Sequence, residues 1–358
     1  MKQALYIQSA SAISPQHTFE KEHFLQKIES SDAGKLLVTD VDFKPFINPV
    51  AIRRMSRLMK MAISAAMKSL QEAGITTPDA IITGTGRGSL TDMEHFLQDM
   101  IQLEEGAMNP TLFIQSTYNS PNGWIALQTK STAYNQTYVH RGCSMELALL
   151  DAQLLFSESS APMNVLVGCY DEITDDYITV KEKVNYWKRP LPNSLSLLQH
   201  SDTLGTIGGE GAAFFTFSNE QGKATAVISD IEVLQHANAE KIATAIQNVL
   251  ERATLTPGDI DVVLTGMNGD STQQQYYQQV CPLFDKGTTI AAFKHLCGEY
   301  DTATGFGIWL ADWLLQQQSV PELFIVQKGT PKNKLRHILL INHYILGSAS
   351  VLLISKTT

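Results

Sequence analysis

Short apolar runs alternate with longer amphipathic segments along the whole chain. "ALYIQSA", "DAIITGTG", "NVLVGCY" and "GAAFFTFS" are β-prone runs bounded by glycines or polar residues, a pattern that is typical of buried strands. The segment "NPVAIRRMSRLMKMAISAAMKSLQEAG" predicts one long helix, because apolar residues recur at helical spacing along one face: Ile52, Met55, Met59, Ala62, Ala66 and Leu70. Alternating strands and helices predict an α/β protein.

The second half of the chain repeats the pattern of the first. Residues 69–89 ("SLQEAGITTPDAIITGTGRGS") and 249–271 ("VLERATLTPGDIDVVLTGMNGDS") each run from a helix end through a Thr-Pro turn and a β run to a glycine-rich corner. Further on, Cys143 opens a helix in the first half, and "GEYDTATGFGIWLADWLLQ" opens the corresponding helix in the second. Two copies of one unit predict a duplicated fold with a pseudo-two-fold axis. We divide the chain into halves at residues 1–219 and 220–358.

Composition and charge narrow the class of protein. The chain has 358 residues, of which 44% are hydrophobic and 18% charged, as in ordinary globular proteins. Its apolar runs are too short to span a bilayer, and its N-terminus reads as a strand rather than a signal peptide. The net charge of −9 disfavours nucleic acid as a partner. Four cysteines without CxxC spacing suggest reduced thiols, so we expect a cytoplasmic protein with no metal site.

Cys143 is the strongest candidate for chemistry. It lies between the end of a β-prone run and the start of a predicted helix. At the start of a helix, the positive end of the helix dipole stabilises a thiolate. Backbone N–H groups at such a position can hold an oxyanion, and the preceding Gly142 leaves room for a substrate. The alternative is a packing role, because cysteine is among the most frequently buried residues.

Several motifs, in order over nearly the whole chain, resemble the β-ketoacyl synthases of the thiolase superfamily. "IITGTGRGSLTDMEHF" is similar to the family's "GtGlGgl" strand and corner, and "GCSMELALLDA" resembles its "ACSSSLxAL" nucleophile motif. "GGEGAAFFTF" resembles "gEGAgalvL", and "FKHLCGEYDTATGFGIWLA" resembles "KxxxGHxxGAAGxxgl". The resemblance implies a thiolase-like fold, with duplicated βαβαβαββ halves in a five-layer α-β-α-β-α arrangement. It also places Cys143 at the acyl-accepting position.

Both catalytic histidines of the family are replaced. In the stretch that resembles "AHGTGT", Gly266 stands where histidine would be, and Gly298 is followed by Glu299 instead of the second histidine. Lys294 matches the family's lysine. An ionised carboxylate opposes developing negative charge by about 4 kcal/mol at about 4 Å, which slows a reaction roughly a thousandfold. Condensation therefore requires a protonated Glu299 or a neutral donor such as Asn268. Otherwise Glu299 pairs with Lys294 and acts structurally.

The resemblance also implies a binding path and partners. It assigns Gly142, Gly298 and Gly347 to substrate binding, the last of these in an altered gating loop, "NHYILGSAS" at residues 342–350. An acyl carrier protein would deliver the substrate on its own phosphopantetheine, so no bound cofactor is expected. A basic patch at the start of the long helix would dock this acidic partner: Arg53, Arg54, Arg57 and Lys60. Alternatively, these four residues form an ordinary solvent-exposed face of the helix and dock nothing.

Two functions remain open from the sequence. In the first, the protein is an acyltransferase of the 3-oxoacyl-synthase type in fatty-acid or polyketide biosynthesis, with Cys143 as acyl acceptor and Lys294, Glu299 and Asn268 beside it. In the second, it is a non-catalytic partner of the chain-length-factor type that pairs with an active ketosynthase. A homodimer or a heterodimer with a ketosynthase is expected because members of the family dimerise through the central sheet.

Overall fold

The computed structural model describes residues 3–190, 192–330, 332, 334–344 and 347–357. Its strands are β1 (Leu5–Ile13), β2 (Lys35–Leu36), β3 (Ala80–Gly84), β4 (Tyr134–Tyr138), β5 (Asn164–Asp171), β6 (Gly208–Gly209), β7 (Gly211–Ser218), β8 (Ala226–Leu234), β9 (Val262–Thr265), β10 (Thr289–Ala292), β11 (Ile325–Gln327), β12 (His337–Tyr344) and β13 (Ser348–Lys356). Its α-helices are α1 (Arg57–Ala73), α2 (Leu90–Gln102), α3 (Pro110–Ser116), α4 (Ser120–Thr129), α5 (Ser144–Glu158), α6 (Asp175–Glu182), α7 (Ala239–Ala253), α8 (Ser271–Val280), α9 (Lys294–Cys297) and α10 (Thr304–Gln317).

The two halves have the same strand order. In the first half the strands lie side by side as β4-β3-β5-β7-β1, and in the second as β10-β9-β12-β13-β8. In both, the first three of these strands are parallel and the fourth, β7 or β13, runs antiparallel to its neighbours. The second half has one further strand at its edge, β11, which pairs antiparallel with β10. The halves join where β1 pairs antiparallel with β8. This confirms the predicted duplication, while the boundary between residues 219 and 220 stays a prediction.

Alternating strand residues pack into separate apolar layers. In β3, Ala80 and Ile82 face a central cluster, whereas Ile81 between them packs with α1 on the opposite side of the sheet. In β9, Val262 faces the same central cluster, and Val263 packs with α7 and α8. The central cluster contains both α5 and α10, so two helices lie between the two halves of the sheet. The order of layers is therefore α-β-α-β-α, as predicted.

The first long helix begins later than the sequence pattern predicts. Helix α1 starts at Arg57, and residues 48–55 form turns and a short 3-10 helix, Ile52–Arg54. The side chain of Gln115 holds this segment outside the helix, because it accepts a hydrogen bond from the backbone N–H of Ser56 (3.1 Å) and donates to the carbonyl oxygen of Arg54 (2.6 Å). A tertiary contact thus overrides a helical periodicity.

Within the described residues, none of the helices has the length and apolar character required to cross a bilayer.

The close approach of β3 to the start of α5 gives a test of the packing around Cys143. A Cβ atom on Gly84 would lie 2.3 Å from the backbone carbonyl of Ser144. We expect Gly84→Ala to lower the free energy of unfolding in urea by about 1–3 kcal/mol, because the helix must move. Gly123→Ala is the matched control, since its Cβ would have no heavy atom within 4 Å. Equal stability of the two variants would contradict this packing.

Candidate functional site

Cys143 ends a short 3-10 turn, Arg141–Cys143, and caps the N-terminus of α5. The turn is tied to β3 by Ser144, whose hydroxyl accepts a hydrogen bond from the N–H of His140 (2.8 Å) and reaches the carbonyl oxygen of Thr85 (2.9 Å). Cys143 is only 1% exposed. The structure therefore confirms its position at a strand-to-helix corner but encloses the thiol in protein.

The surroundings of Cys143 oppose ionisation. Burial, followed by the nearby Glu146 carboxyl, raises the pKa of the Cys143 thiol to about 12, although hydrogen bonds from Ser348 and Gln235 act in the other direction. The Gln235 Nε2 atom lies 3.8 Å from the sulfur. The expectation from the sequence that the helix start would favour a thiolate is therefore wrong for this enclosed state. Desolvation outweighs the helix dipole here.

Lys294, Glu299 and Asn268 form one buried cluster in the second half. The Lys294 ammonium lies 2.9 and 2.8 Å from the two carboxylate oxygens of Glu299, and both side chains are at most 1% exposed. Asn268 donates from Nδ2 to Glu299 Oε2 (2.6 Å). Burial raises the pKa of Glu299, whereas Lys294 and then Asn268 lower it. The structural alternative for Glu299, a pair with Lys294, is the arrangement that the structure adopts.

At Gly266, where the family's first histidine would stand, the Asn342 side chain from strand β12 occupies the neighbouring space. A Cβ atom on Gly266 would lie 2.1 Å from Oδ1 of Asn342 on β12. Asn342 is fixed by its Nδ2 atom, which donates to Thr304 Oγ1 (2.8 Å), and Thr304 donates in turn to Glu146 Oε1 (2.7 Å). An imidazole at residue 266 therefore does not fit unless Asn342 moves.

Tyr344 covers the turn that carries Cys143. A Cβ atom on Gly142 would lie 2.2 Å from Cγ of Tyr344, so only glycine fits beneath this ring. The Tyr344 hydroxyl donates to Asp301 Oδ1 (2.6 Å), and Arg87 Nε donates to Asp301 Oδ2 (2.7 Å). An aromatic side chain held by an ion pair therefore closes the approach to Gly142.

The three predicted substrate-binding glycines have different surroundings. At Gly142 the neighbour is Tyr344, and at Gly298 (φ 74°) a Cβ atom would lie 2.4 Å from the carbonyl oxygen of Gly208. Packing within the protein accounts for glycine at both positions. At Gly347 (φ 84°) an added Cβ atom would meet nothing closer than the Cα atom of His236 at 4.0 Å, so the left-handed backbone and not crowding favours glycine there. Substrate contact at these residues stays a prediction.

The predicted docking patch divides into two parts. Arg53 and Arg54 are exposed, but they lie before α1 and not on it. Arg57 makes a bidentate ion pair with Glu210, whose side chain is fully buried. Lys60 is half-buried on the first turn of α1. Because the Arg57 charge is paired with a buried carboxylate, Arg53, Arg54 and Lys60 are the patch residues left for a carrier protein.

Sequence reasoning missed Glu146, Tyr344, Asp301 and Arg87. Two of these residues are acidic, lie within the family motifs and could have been noticed there. Glu146 stands where "ACSSSLxAL" has a serine, and Asp301 lies two residues after Glu299. An acid in an otherwise apolar, buried motif requires a partner, which indicates a polar network. The covering of Gly142 by Tyr344 depends on contacts between distant segments, and the local pattern carries no sign of it.

Comparison with known proteins agrees with this architecture. The family described as beta-ketoacyl synthase, N-terminal domain, matches residues 31–253. The chain belongs to the β-ketoacyl synthase family. No curated protein sequence matches it significantly.

Among solved structures, the chain is similar to the ishigamide ketosynthase/chain length factor, with a TM-score of 0.82, 17% identity and 100% of both chains covered. It is also similar to the ketosynthase ApeO in complex with its chain length factor ApeC from Xenorhabdus doucetiae, with a TM-score of 0.77, 14% identity, and 99% and 98% covered. A third similar structure is AntDE:AntF, a type II PKS acyl-carrier protein in complex with its ketosynthase, with a TM-score of 0.74, 15% identity and 100% of both chains covered. These similarities confirm the thiolase-like fold.

The buried ion pair gives the first prediction for the site. Lys294→Met leaves the Glu299 carboxyl buried without its partner and should lower the free energy of unfolding by about 3–5 kcal/mol. In the double variant Lys294→Met/Glu299→Leu most of this loss should be recovered, as a double-mutant cycle in urea would measure. Lys328→Met is the control, because its partner Glu322 is exposed and the expected loss is below about 1 kcal/mol. Additive losses in the cycle would contradict a structural pair.

The cover over Gly142 gives the second prediction. Tyr344→Phe keeps the ring but removes the hydrogen bond to Asp301, so Cys143 should react with iodoacetamide at pH 8 about tenfold faster, the effect of about one hydrogen bond on local opening. Peptide mapping by mass spectrometry measures the rate at Cys143. Tyr276→Phe is the matched control, because its ring stacks on His343 instead. Equal rates in the two variants would show that Tyr344 does not control access.

Proposed function

We propose that this protein is a non-condensing member of its family that pairs with an active ketosynthase, as a chain-length factor does, and binds the acyl-carrier-protein thioesters that this pair uses. The observation that carries the proposal is the buried ion pair between Lys294 and Glu299, joined by Asn268, at the second histidine position. The lysine charge is spent on a neighbouring carboxylate, so it is not free to stabilise an enolate.

Decarboxylative condensation requires donors aimed at negative charge that develops on the thioester carbonyl. Glu299 already accepts three hydrogen bonds, two from Lys294 and one from Asn268. Neither Gly266 nor the Asn342 side chain beside it supplies an imidazole. These two features, the fully occupied Glu299 carboxylate and the absence of an imidazole at residues 266 and 342, oppose condensation and support a role for the fold other than condensation.

The edge of the first half supports pairing with a second chain. Strand β4 is the last strand of the sheet, and its residues Tyr134, Asn135 and Gln136 are exposed. An exposed strand edge is a template for pairing with another strand. Large apolar side chains with more than two-fifths of their surface exposed lie on β4 and on the nearby helices α3, α4 and α5: Phe113, Ile114, Leu127, Tyr134 and Leu154. Such an apolar surface is expected at a protein interface.

The partners that we propose for this chain correspond to those seen in two similar structures. The ApeO structure is a ketosynthase in complex with its chain length factor, and AntDE:AntF contains an acyl-carrier protein with its ketosynthase. We infer corresponding partners for this chain, with phosphopantetheine carried by the acyl carrier protein. Docking of that acidic protein would use Arg53, Arg54 and Lys60. The pathway and its enzymes would lie in the cytoplasm.

Acyl transfer to Cys143 is the second candidate function. It is favoured by one observation, the position of this thiol at the start of α5 with hydrogen bonds from Ser348 and Gln235. Transfer from a carrier thioester would form a new thioester on the Cys143 sulfur and release the phosphopantetheine thiol, which takes the proton that the cysteine loses. The raised pKa of Cys143 makes this step slow until the enclosing residues move.

One experiment separates these functions. The purified chain is mixed with acyl-loaded and malonyl-loaded carrier protein, alone and with a ketosynthase of the same genome that has cysteine and both histidines. We expect no condensation product from the chain alone, a heterodimer with the ketosynthase by native mass spectrometry, and product formation by that pair.

Leu127→Asp should weaken the heterodimer, because Leu127 is 73% exposed on α4 near β4. Val326→Asp, on β11 at the other edge of the sheet, is the control.

Intact-protein mass decides about Cys143 in the same mixtures. A gain of one acyl group that disappears in Cys143→Ala would establish acyl transfer. Condensation by the chain alone would overturn the proposed partner role, and so would failure to bind any such ketosynthase.

A further inference from the structure

Two cationic side chains, Arg87 and Lys181, lie over two aromatic rings beside the turn that carries Cys143, and Arg141 on that turn lies close to them. The guanidinium carbon of Arg87 lies 4.4 Å from the ring centre of Tyr177, and the Lys181 ammonium lies 5.7 Å from the same ring centre. Lys181 also lies 4.6 Å from the ring centre of Tyr186. Arg141, two residues before Cys143, reaches the carbonyl oxygen of Gly86 (3.4 Å), which is the neighbour of Arg87. We call Arg87, Arg141 and Lys181 the cationic cluster.

The cationic cluster carries more positive charge than its neighbours balance. Two carboxylates contact it, both at Arg87: Asp301 is ion-paired with the Arg87 side chain and bound to the Tyr344 hydroxyl, and Asp171 accepts a hydrogen bond from the Arg87 backbone N–H (3.1 Å). Within the described part of the chain, neither Arg141 nor Lys181 forms a salt bridge. Burial, then Arg87 and Arg141, lower the pKa of Lys181, so these cations repel one another. Three cations beside two carboxylates leave an excess of positive charge, and Arg141 and Lys181 have no ion-pair partner of their own among the described residues, so the site favours an anion.

The rings also limit what reaches these cations. Tyr186 and Trp187 are buried and pack edge to face with ring centres 4.8 Å apart, so they form a fixed wall. Arg141 is exposed and has a left-handed backbone (φ 50°), an uncommon conformation for a residue with a side chain. This conformation brings a long, forked donor to the same turn as the thiol. Arginine forks suit the paired oxygens of phosphate and carboxylate.

We infer that the cationic cluster of Arg87, Arg141 and Lys181 binds an oxyanion of the thioester ligand at the approach to Cys143. The inference rests on the proposed function, because that function makes a carrier-bound thioester the ligand. Such a ligand offers two oxyanions: the phosphate of the phosphopantetheine arm and the carboxylate of a malonyl-type acyl group. Both present negatively charged oxygens to the same three donors. The site would hold the ligand by charge-assisted hydrogen bonds and leave the acyl chain free to vary.

Two pairs of small ligands test this inference and identify the source of the oxyanion. Pantetheine and 4′-phosphopantetheine differ only in the phosphate, and S-acetyl-pantetheine and S-malonyl-pantetheine differ only in the carboxylate. Calorimetric titration into the full chain at low salt should show the charged member of at least one pair binding about tenfold tighter, the effect of one charge-assisted hydrogen bond. The preference should shrink in about 0.5 M NaCl because salt screens exposed charges.

Matched variants assign the preference to the cluster. Lys181→Gln and Arg141→Gln should each reduce it at least threefold, whereas Lys183→Gln should retain it, because Lys183 is an exposed lysine just beyond α6. Equal binding within both pairs, no binding by any of the four compounds, or an unchanged preference in Lys181→Gln would each overturn the inference. The titration contains neither ketosynthase nor carrier protein, so a failed heterodimer with an intact preference would refute only the proposed function.

Discussion

The buried contact between Lys294 and Glu299 determines how the rest of the site is arranged. Its two charges are removed from water, so each must remain with the other. Lys294 also donates to the carbonyl oxygen of His343 (3.3 Å), while the backbone N–H of Glu299 donates to Ile207 (2.9 Å). The pair thereby ties α9 to β12 and to the segment before β6. This buried pair therefore supports the structure around it.

The duplicated scaffold explains why the site lies between the halves. Cys143 comes from the first half, whereas Ser348 and Gln235, which contact it, come from the second. The Tyr344 ring crosses in the same way to cover Gly142. Because α5 and α10 share one central layer, small changes on either helix alter the enclosure of the thiol. The enclosure of the thiol therefore depends on the packing of both halves against each other.

Much of the fold was predictable because its signals are local. Alternating apolar positions in β3 and β9 identify buried strands, and the repeated Thr-Pro and glycine corners identify the duplication. The start of α1 was not predictable, because Gln115 in a different helix holds Ser56 and Arg54 outside it. The site shows the same contrast between local motifs, which were predictable, and long-range contacts, which were not. Cys143, Lys294 and Glu299 fell on family motifs, but the raised pKa of Cys143 depends on burial that only the folded chain creates. The contact of Tyr344 with Asp301 joins residues 43 positions apart, at a distance where periodicity carries no information.

The Asn342 side chain beside Gly266 also limits which residues can replace this glycine. A single substitution to histidine at 266 would place its Cβ against the Asn342 oxygen, so it would disturb the network through Thr304 to Glu146 before it gave any imidazole. A histidine at 266 therefore needs a different side chain or rotamer at 342 as well, so the effects of substitutions at these two positions are coupled. Placing an imidazole in this part of the protein therefore requires at least two substitutions, because the space that one residue would need is already occupied by a side chain from a distant strand.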